Sequence, residues 1–237
     1  MLRLHNRQPT LITRKIPRSG EVLPAIGLGT YLTFDLLPGA PRNNIRDVMK
    51  IFWEGGGRVF DTSPLYGSGE ISVGDFATSM GINEQMFICN KIWSTGEFLA
   101  DDSHARKSFE QSQQRLWREK IDVMQVHSLV NVDQIVPALD KGTAVLVNMP
   151  FEKARLFKLV QGHALPSFAK EIGCENWAQF FLKWVISHPA ITCVIPATSN
   201  PVHQAENMGA LRGPLPDKEM RAQTQPSKVL SGHQLPT

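Results

Sequence analysis

The sequence predicts an α/β fold, a mainly parallel sheet with helices packed outside it. Three observations predict it. Short apolar runs alternate with segments of helical periodicity along most of the chain. The apolar runs read as buried on both faces rather than as in–out alternations, as parallel sheets require. The 237 residues, 42% hydrophobic and 20% charged, suit one large globular unit, and α/β barrels reach this length as one domain.

The elements follow in order. Residues 24–32, PAIGLGTYL, form the first expected strand. Gly27 and Gly29 there serve close packing, because GLGTYL lacks the third glycine of a dinucleotide fingerprint. Residues 43–57 place Ile45, Val48, Met49 and Phe52 at helical spacing and stop on glycines. A strand over 58–61, a helix over 69–81 and a strand over 85–91 come next. The helix over 102–119 buries Phe109, Leu116 and Trp117, and a strand spans 121–127. A short helix over 132–142 leads to a strand over 143–148. Helices over 152–162 and 175–188 precede a strand over 191–196. Trp177 and Trp184, seven apart, read as core. The helix over 200–211 has Asn200 as its N-cap and Pro201 at its first position. The expected domain is 1–222, with 223–237 a disordered tail of low apolar content.

Composition narrows the function classes. The net charge of +3 has a local origin: Arg3, Arg7, Arg14, Lys15 and Arg18 open the chain without an acid, and the remainder holds 20 basic and 22 acidic residues. No nucleic-acid surface is expected. No run of 18 apolar residues exists, so no membrane partner is expected, and the basic start lacks the apolar core of a secretory signal. A transit peptide stays open, with Pro9 against it; the expected location is the cytoplasm. Cys89, Cys174 and Cys193 lie far apart with no CxxC, so neither a metal site nor a disulfide framework is expected.

Chemistry gathers at strand ends. Asp61, Lys91 and His127 each close an expected strand, and Tyr66 lies on the loop just beyond one, where barrels keep their active groups. A tyrosine with a pKa of about 10 is a poor acid at neutral pH. Lys91 nearby would lower that value, Asp61 would hold the lysine, and His127 could position a carbonyl oxygen. Such a set delivers a proton to oxygen while a hydride from a cofactor reaches carbon.

On these residues the chain resembles the aldo-keto reductases, (β/α)8 TIM-barrel enzymes that use nicotinamide cofactors. The segments LPAIGLGTY, VFDTSPLYGSGE, FICNKIW, VMQVHS and CVIPATSNPVHQAEN carry the resemblance, which covers roughly residues 11–222. It implies a catalytic tetrad of Asp61, Tyr66, Lys91 and His127, with Tyr66 as general acid. TRKIPRSGEVLPAIG resembles the hairpin that closes the bottom of the barrel, and Trp93 a wall of the substrate pocket. The resemblance implies an NADP or NAD site built from Thr30, Tyr31, Asp61, Asn148, Pro150, Thr198, Ser199, Asn200, His203, Glu206 and Asn207, and a small-molecule carbonyl substrate. Ala197 and His203 stand where NADP-binding members usually carry a lysine and an arginine, so the choice between NADP and NAD stays open.

One interval departs from the pattern. Only 15 residues (128–142) separate His127 from the strand at 143–148, against about 30 for a strand–helix–strand unit. The family places its fifth and sixth strands there, so about six parallel strands are expected, an incomplete barrel. The missing segment would hold the nicotinamide, and 128–142 contain no aromatic residue. Two readings follow: a carbonyl oxidoreductase, or a catalytically impaired barrel remnant that acts as a binding or interaction protein; whether NADP, NAD or neither is bound stays open. Open sheet edges would favour self-association.

Overall fold

The computed structural model describes residues 10–92, 103–126 and 142–223. A hairpin of β1 (Thr13–Lys15) and β2 (Val22–Pro24) opens it. Six parallel strands follow: β3 (Leu28–Gly29), β4 (Val59–Asp61), β5 (Phe87–Ile92), β6 (Val123–Val126), β7 (Leu146–Asn148) and β8 (Cys193–Ile195). The ladders run β3–β4–β5–β6 and β7–β8. A bridge between Ile26 and Val194 joins the two, with Gly27 N–H donating to Val194 O and Gly29 N–H to Pro196 O. The resulting array is β7–β8–β3–β4–β5–β6. Among the described residues the array holds six parallel strands and no ladder joins β6 to β7, the incomplete barrel that the sequence predicts.

Strand alternation sets the site's position. Val59, Phe87, Cys89, Cys193 and Ile195 face inward with Leu23 and form an apolar floor. Phe60, Ile88 and Val194 face outward onto the helices, in the main core with Ile45, Val48, Met49 and Phe52. Those four come from α1 (Asn43–Glu54) and are the face its periodicity predicts. The inward side chains at the carboxyl ends of β4 and β5, Asp61 and Lys91, are polar. All three cysteines are buried.

Helices α2 (Gly69–Met80) and α3 (Ser103–Leu116) pack outside β4 and β5. Gly74 lets them approach: a Cβ there would lie 2.2 Å from Arg115 O. Three short helices follow β7 and β8: α4 (Arg155–Leu159), α5 (Trp177–Ile186) and α6 (Pro201–Gly209). Asn200 caps α6 by accepting Val202 N–H at 2.9 Å, with Pro201 at N1.

Four expectations need correction. The first strand is not continuous over 24–32: Val22–Pro24 belong to the hairpin, only Leu28–Gly29 pair with β4, and residues 31–33 turn. The helix expected over 152–162 is confined to Arg155–Leu159, because Glu152, Lys153 and Ala154 have left-handed backbones, as Met149 does. Trp117 is exposed, since its left-handed φ of 52° ends α3 and turns the ring outward. Finally, Lys218–Gln223 form a further helix, α7, so residue 223 is helical rather than tail. The helix expected over 132–142 lies outside the described residues.

Gly27 tests the packing reading. A Cβ there would lie 2.6 Å from Ile195 Cδ1 and 2.9 Å from the backbone oxygen of Val59. The backbone cannot yield cheaply, so Gly27→Ala is expected to destabilise the protein by about 1–3 kcal/mol in urea unfolding. An unchanged midpoint would show that the β4–β8 junction has slack.

Candidate active site

A cleft of about 1490 Å³ opens at the carboxyl ends of the strands. Asp61 (β4), Lys91 (β5), Gln125 (β6) and Asn148 (β7) line it, each the inward residue above the apolar floor. Ladder register brings Lys91 opposite Gln125.

Asp61 and Lys91 form a buried ion pair, Nζ to Oδ2 at 2.6 Å, and Nζ also donates to Thr62 O at 2.8 Å. Gln125 Nε2 makes a longer bond, 3.4 Å, to Asp61 Oδ1. Lys91 Nζ sits 5.0 Å from the centroid of the Tyr66 ring. Tyr31 lies against the same ring at 5.0 Å. Breaking one partner of such a buried pair costs about 3–5 kcal/mol, because the other charge stays buried.

The loop that carries Tyr66 is clamped by Asp35. Its Oδ1 accepts Ser68 N–H at 2.8 Å and the Ser68 hydroxyl at 3.0 Å. Gly67 fits only as glycine: its φ is +58°, and a Cβ would meet the Asp35 carboxylate at 2.3 Å.

Tyr66 corrects the sequence on electrostatics. Its pKa is pushed up to about 12, first by burial, then by the Asp61 carboxylate and by Tyr31. The lowering expected from Lys91 does not occur: the ammonium is held by Asp61 at 2.6 Å, and the phenol feels that carboxylate, which raises its pKa.

The other expected site residues sort by position. Tyr31, Asn148, Pro150, Thr198, His203, Glu206 and Asn207 line the cleft. Thr30 is fully buried, donating to Asp61 O and the Thr62 hydroxyl, and so supports the loop that follows β4. Asn200 spends its side chain on the α6 cap, and Thr198 Oγ1 accepts Asn200 N–H across Ser199. His127 and Trp93 lie outside the described residues.

Several cleft residues escaped sequence reasoning. Gln125, Leu32, Phe151, Lys153 and Phe157 line it, and Trp177 does so while it packs against the core cluster of Phe168 and Phe180, as its spacing predicts. Trp177 stacks on Phe181 at 5.5 Å, and Phe157 bridges Phe151 and Phe181, giving the cleft an aromatic side built from 151–181. Gln125 carried a readable signal, a polar residue at an inward position of an apolar strand. Among the described residues no group of three or more metal-ligating side chains gathers, and no helix is long and apolar enough to cross a membrane.

A parallel barrel-type sheet with a buried Asp–Lys pair beside a tyrosine at its carboxyl end defines the class of protein. The model of the Aldo/keto reductase family matches residues 25–146, just over half of the chain, and the chain belongs to that family. Human aldo-keto reductase family 1 member C3 is 23% identical over 180 residues, 73% of this chain and 53% of that protein. Member C4 from Macaca fascicularis matches to the same extent. The chain thus spans about half the length of the curated relatives it matches. Among solved structures, an aldo/keto reductase from Klebsiella pneumoniae in complex with NADP and acetate superposes with a TM-score of 0.72 at 20% identity, covering 86% of this chain and 91% of that one. Aldo-keto reductase AKR11C1 from Bacillus halodurans gives 0.69 at 14% identity, covering 90% and 95%.

Proposed function

We propose that the chain is a nicotinamide-dependent carbonyl oxidoreductase in which Tyr66 donates the proton to the carbonyl oxygen. The observation that carries this reading is the Asp61–Lys91 pair at 2.6 Å beside the Tyr66 ring, at the floor of the cleft. A cofactor of the NADP type, as in the Klebsiella pneumoniae structure, would supply the hydride. The residues present fit such a group. A cleft of about 1490 Å³ exceeds the volume of an ordinary small-molecule pocket and leaves room for a dinucleotide and a small carbonyl compound. Thr198, His203, Glu206 and Asn207 would hold its adenosine end, Asn148 and Pro150 its middle.

The chain's own residues then divide the work. Tyr66 holds a proton at its phenolic oxygen. Lys91, fixed by Asp61 and Thr62 O, holds its ammonium 5.0 Å from the centre of the Tyr66 ring and so positions the phenol in the cleft. Tyr31 and the aromatic side of the cleft exclude water. Ala197 and His203 offer no fixed charge to a 2′-phosphate, so NADPH and NADH are expected to bind within about tenfold of each other.

The test is a titration of the protein with NADPH and with NADH, followed by Trp fluorescence, and then oxidation of the bound cofactor by a reactive aldehyde. Binding at millimolar concentration or tighter with aldehyde-dependent oxidation supports the reading. Failure of both cofactors to bind sinks it. A second reading, an impaired barrel remnant that only binds, is favoured by the open edge between β6 and β7 among the described residues. Binding without oxidation would decide for it.

A further inference from the structure

A buried polar chain runs behind Lys91, on the helix side of the sheet. Lys91 points into the cleft, so its neighbour Asn90 points outward, and Asn90 is fully buried. There Asn90 Nδ2 donates to Glu70 Oε1 at 2.8 Å. Glu70, in the first turn of α2, is 1% exposed, and its other oxygen accepts Arg115 Nη1 from α3 at 3.0 Å. In return Asn90 Oδ1 accepts the backbone N–H of Lys91 at 2.8 Å. A carboxylate, an amide and a guanidinium from three elements thus converge on the backbone of the residue that holds Asp61.

We propose that Arg115, Glu70 and Asn90 are positioning residues that set the reach of Lys91 into the cleft. The inference rests on the oxidoreductase reading for its activity arm alone. The physical reason is geometric. The ladder pairs Lys91 with Gln125, and the side chain of Asn90 adds a second hold on the same peptide. Asn90 is a side chain whose two amide atoms are both spoken for, and its acceptor is committed to the Lys91 N–H. A tilt of that peptide would move Nζ off both Asp61 Oδ2 and Thr62 O. Glu70 is charged and buried, so it keeps Asn90 in one rotamer only while Arg115 neutralises it. A structural role alone would demand burial of these groups; it would not demand that the last bond of the chain end on the amide of Lys91.

The experiment uses the full chain and two readouts. The first is competitive acetylation of Lys91 read by mass spectrometry, which reports how firmly its amine is held whether or not the protein turns over. The second is kcat and KM for NAD(P)H-dependent aldehyde reduction. Asn90→Leu is expected to raise the Lys91 labelling rate by about threefold and to lower kcat by about tenfold with KM within about twofold. Arg115→Met is expected to move both readouts in the same direction, and Arg115→Lys, which keeps the cation, to restore them. Val73→Ala, a buried α2 change outside the chain, lowers Tm and is expected to leave Lys91 labelling unchanged. Unchanged labelling in Asn90→Leu, or equal labelling in Val73→Ala, overturns the proposal. Absence of turnover in the wild-type chain would count against the oxidoreductase reading, and the labelling arm would still decide this one.

Discussion

Tyr66→Phe is expected to lower kcat for aldehyde reduction by about a thousandfold while leaving NAD(P)H binding within about twofold. The phenol oxygen is the group the proposed reaction needs, and phenylalanine keeps the ring that lies 5.0 Å from Lys91 Nζ and 5.0 Å from Tyr31. The raised pKa gives the prediction a pH signature. With a value of about 12, the phenol stays protonated through neutral and mildly alkaline solution, so reduction should show no loss of its proton donor up to about pH 11. Alcohol oxidation needs the phenolate and should rise by about tenfold per pH unit over that range. Stability follows the same group. An unfolded tyrosine ionises at 10.0 and the folded one at about 12, so between those values the unfolded state binds fewer protons. Tyr66's contribution is therefore complete below pH 10 and lost as pH rises through 12, and Tyr66→Phe should lose less Tm across that window. A variant that keeps a tenth or more of wild-type kcat would remove Tyr66 from the role of acid.

The site was legible in the sequence where strand alternation and motif spacing agree. Asp61 and Lys91 end two neighbouring apolar runs, and parallel pairing of those runs is enough to bring them together. Gln125 follows from the same alternation, since β5 and β6 pair Lys91 with it, yet its polarity among Val123, Met124 and Val126 carried no motif to draw notice. The state of Tyr66 was not legible. Its pKa depends on where the ammonium of Lys91 points, and a distance of 2.6 Å to Asp61 decides that against the phenol.

The fold shows the same division. The face of α1 was readable because Ile45, Val48, Met49 and Phe52 keep one helical period. The region after β7 was not. Met149, Glu152, Lys153 and Ala154 adopt left-handed backbones with no glycine among them, so nothing local in the sequence marked the break. Leu156 and Leu159 kept a helical rhythm, which extended the expected helix across residues that turn. The aromatic side of the cleft depends on that turn, because it is the segment that brings Phe151 and Phe157 beside Trp177 and Phe181. Trp177 packs against core as its spacing to Trp184 predicts; its place at the first position of α5, next to the Asn176 cap, also opens it to the cleft.

Lys183→Met is expected to cost about 4 kcal/mol of stability. Lys183 is fully buried on α5, and its ammonium donates to three backbone carbonyls, those of Ile172, Arg212 and Pro214. Burial pulls its pKa below the usual lysine value, so the fold holds the charge against a desolvation cost. What offsets that cost is the three carbonyls. They belong to two turns with no ladder to satisfy them, one after residues 167–170 and one after α6, each with a glycine at positive φ, Gly173 and Gly213. Methionine matches the length of the side chain and removes every donor, leaving the buried carbonyl of Ile172 and the half-buried ones of Arg212 and Pro214 without one. The urea midpoint should fall with an unchanged m-value, and Tm should drop by about 10 °C. Lys50→Ala, which breaks only the exposed pair with Glu54, is the control and should leave the midpoint in place. A loss of less than about 1 kcal/mol in Lys183→Met would mean that water reaches those carbonyls in its stead. The consequence reaches the cleft, because the turn at 212–214 fixes the far end of α6, and α6 carries His203, Glu206 and Asn207 on its cleft side. Cofactor affinity should therefore weaken in Lys183→Met even at temperatures where the protein stays folded, whereas Tyr66→Phe should leave affinity intact and remove turnover.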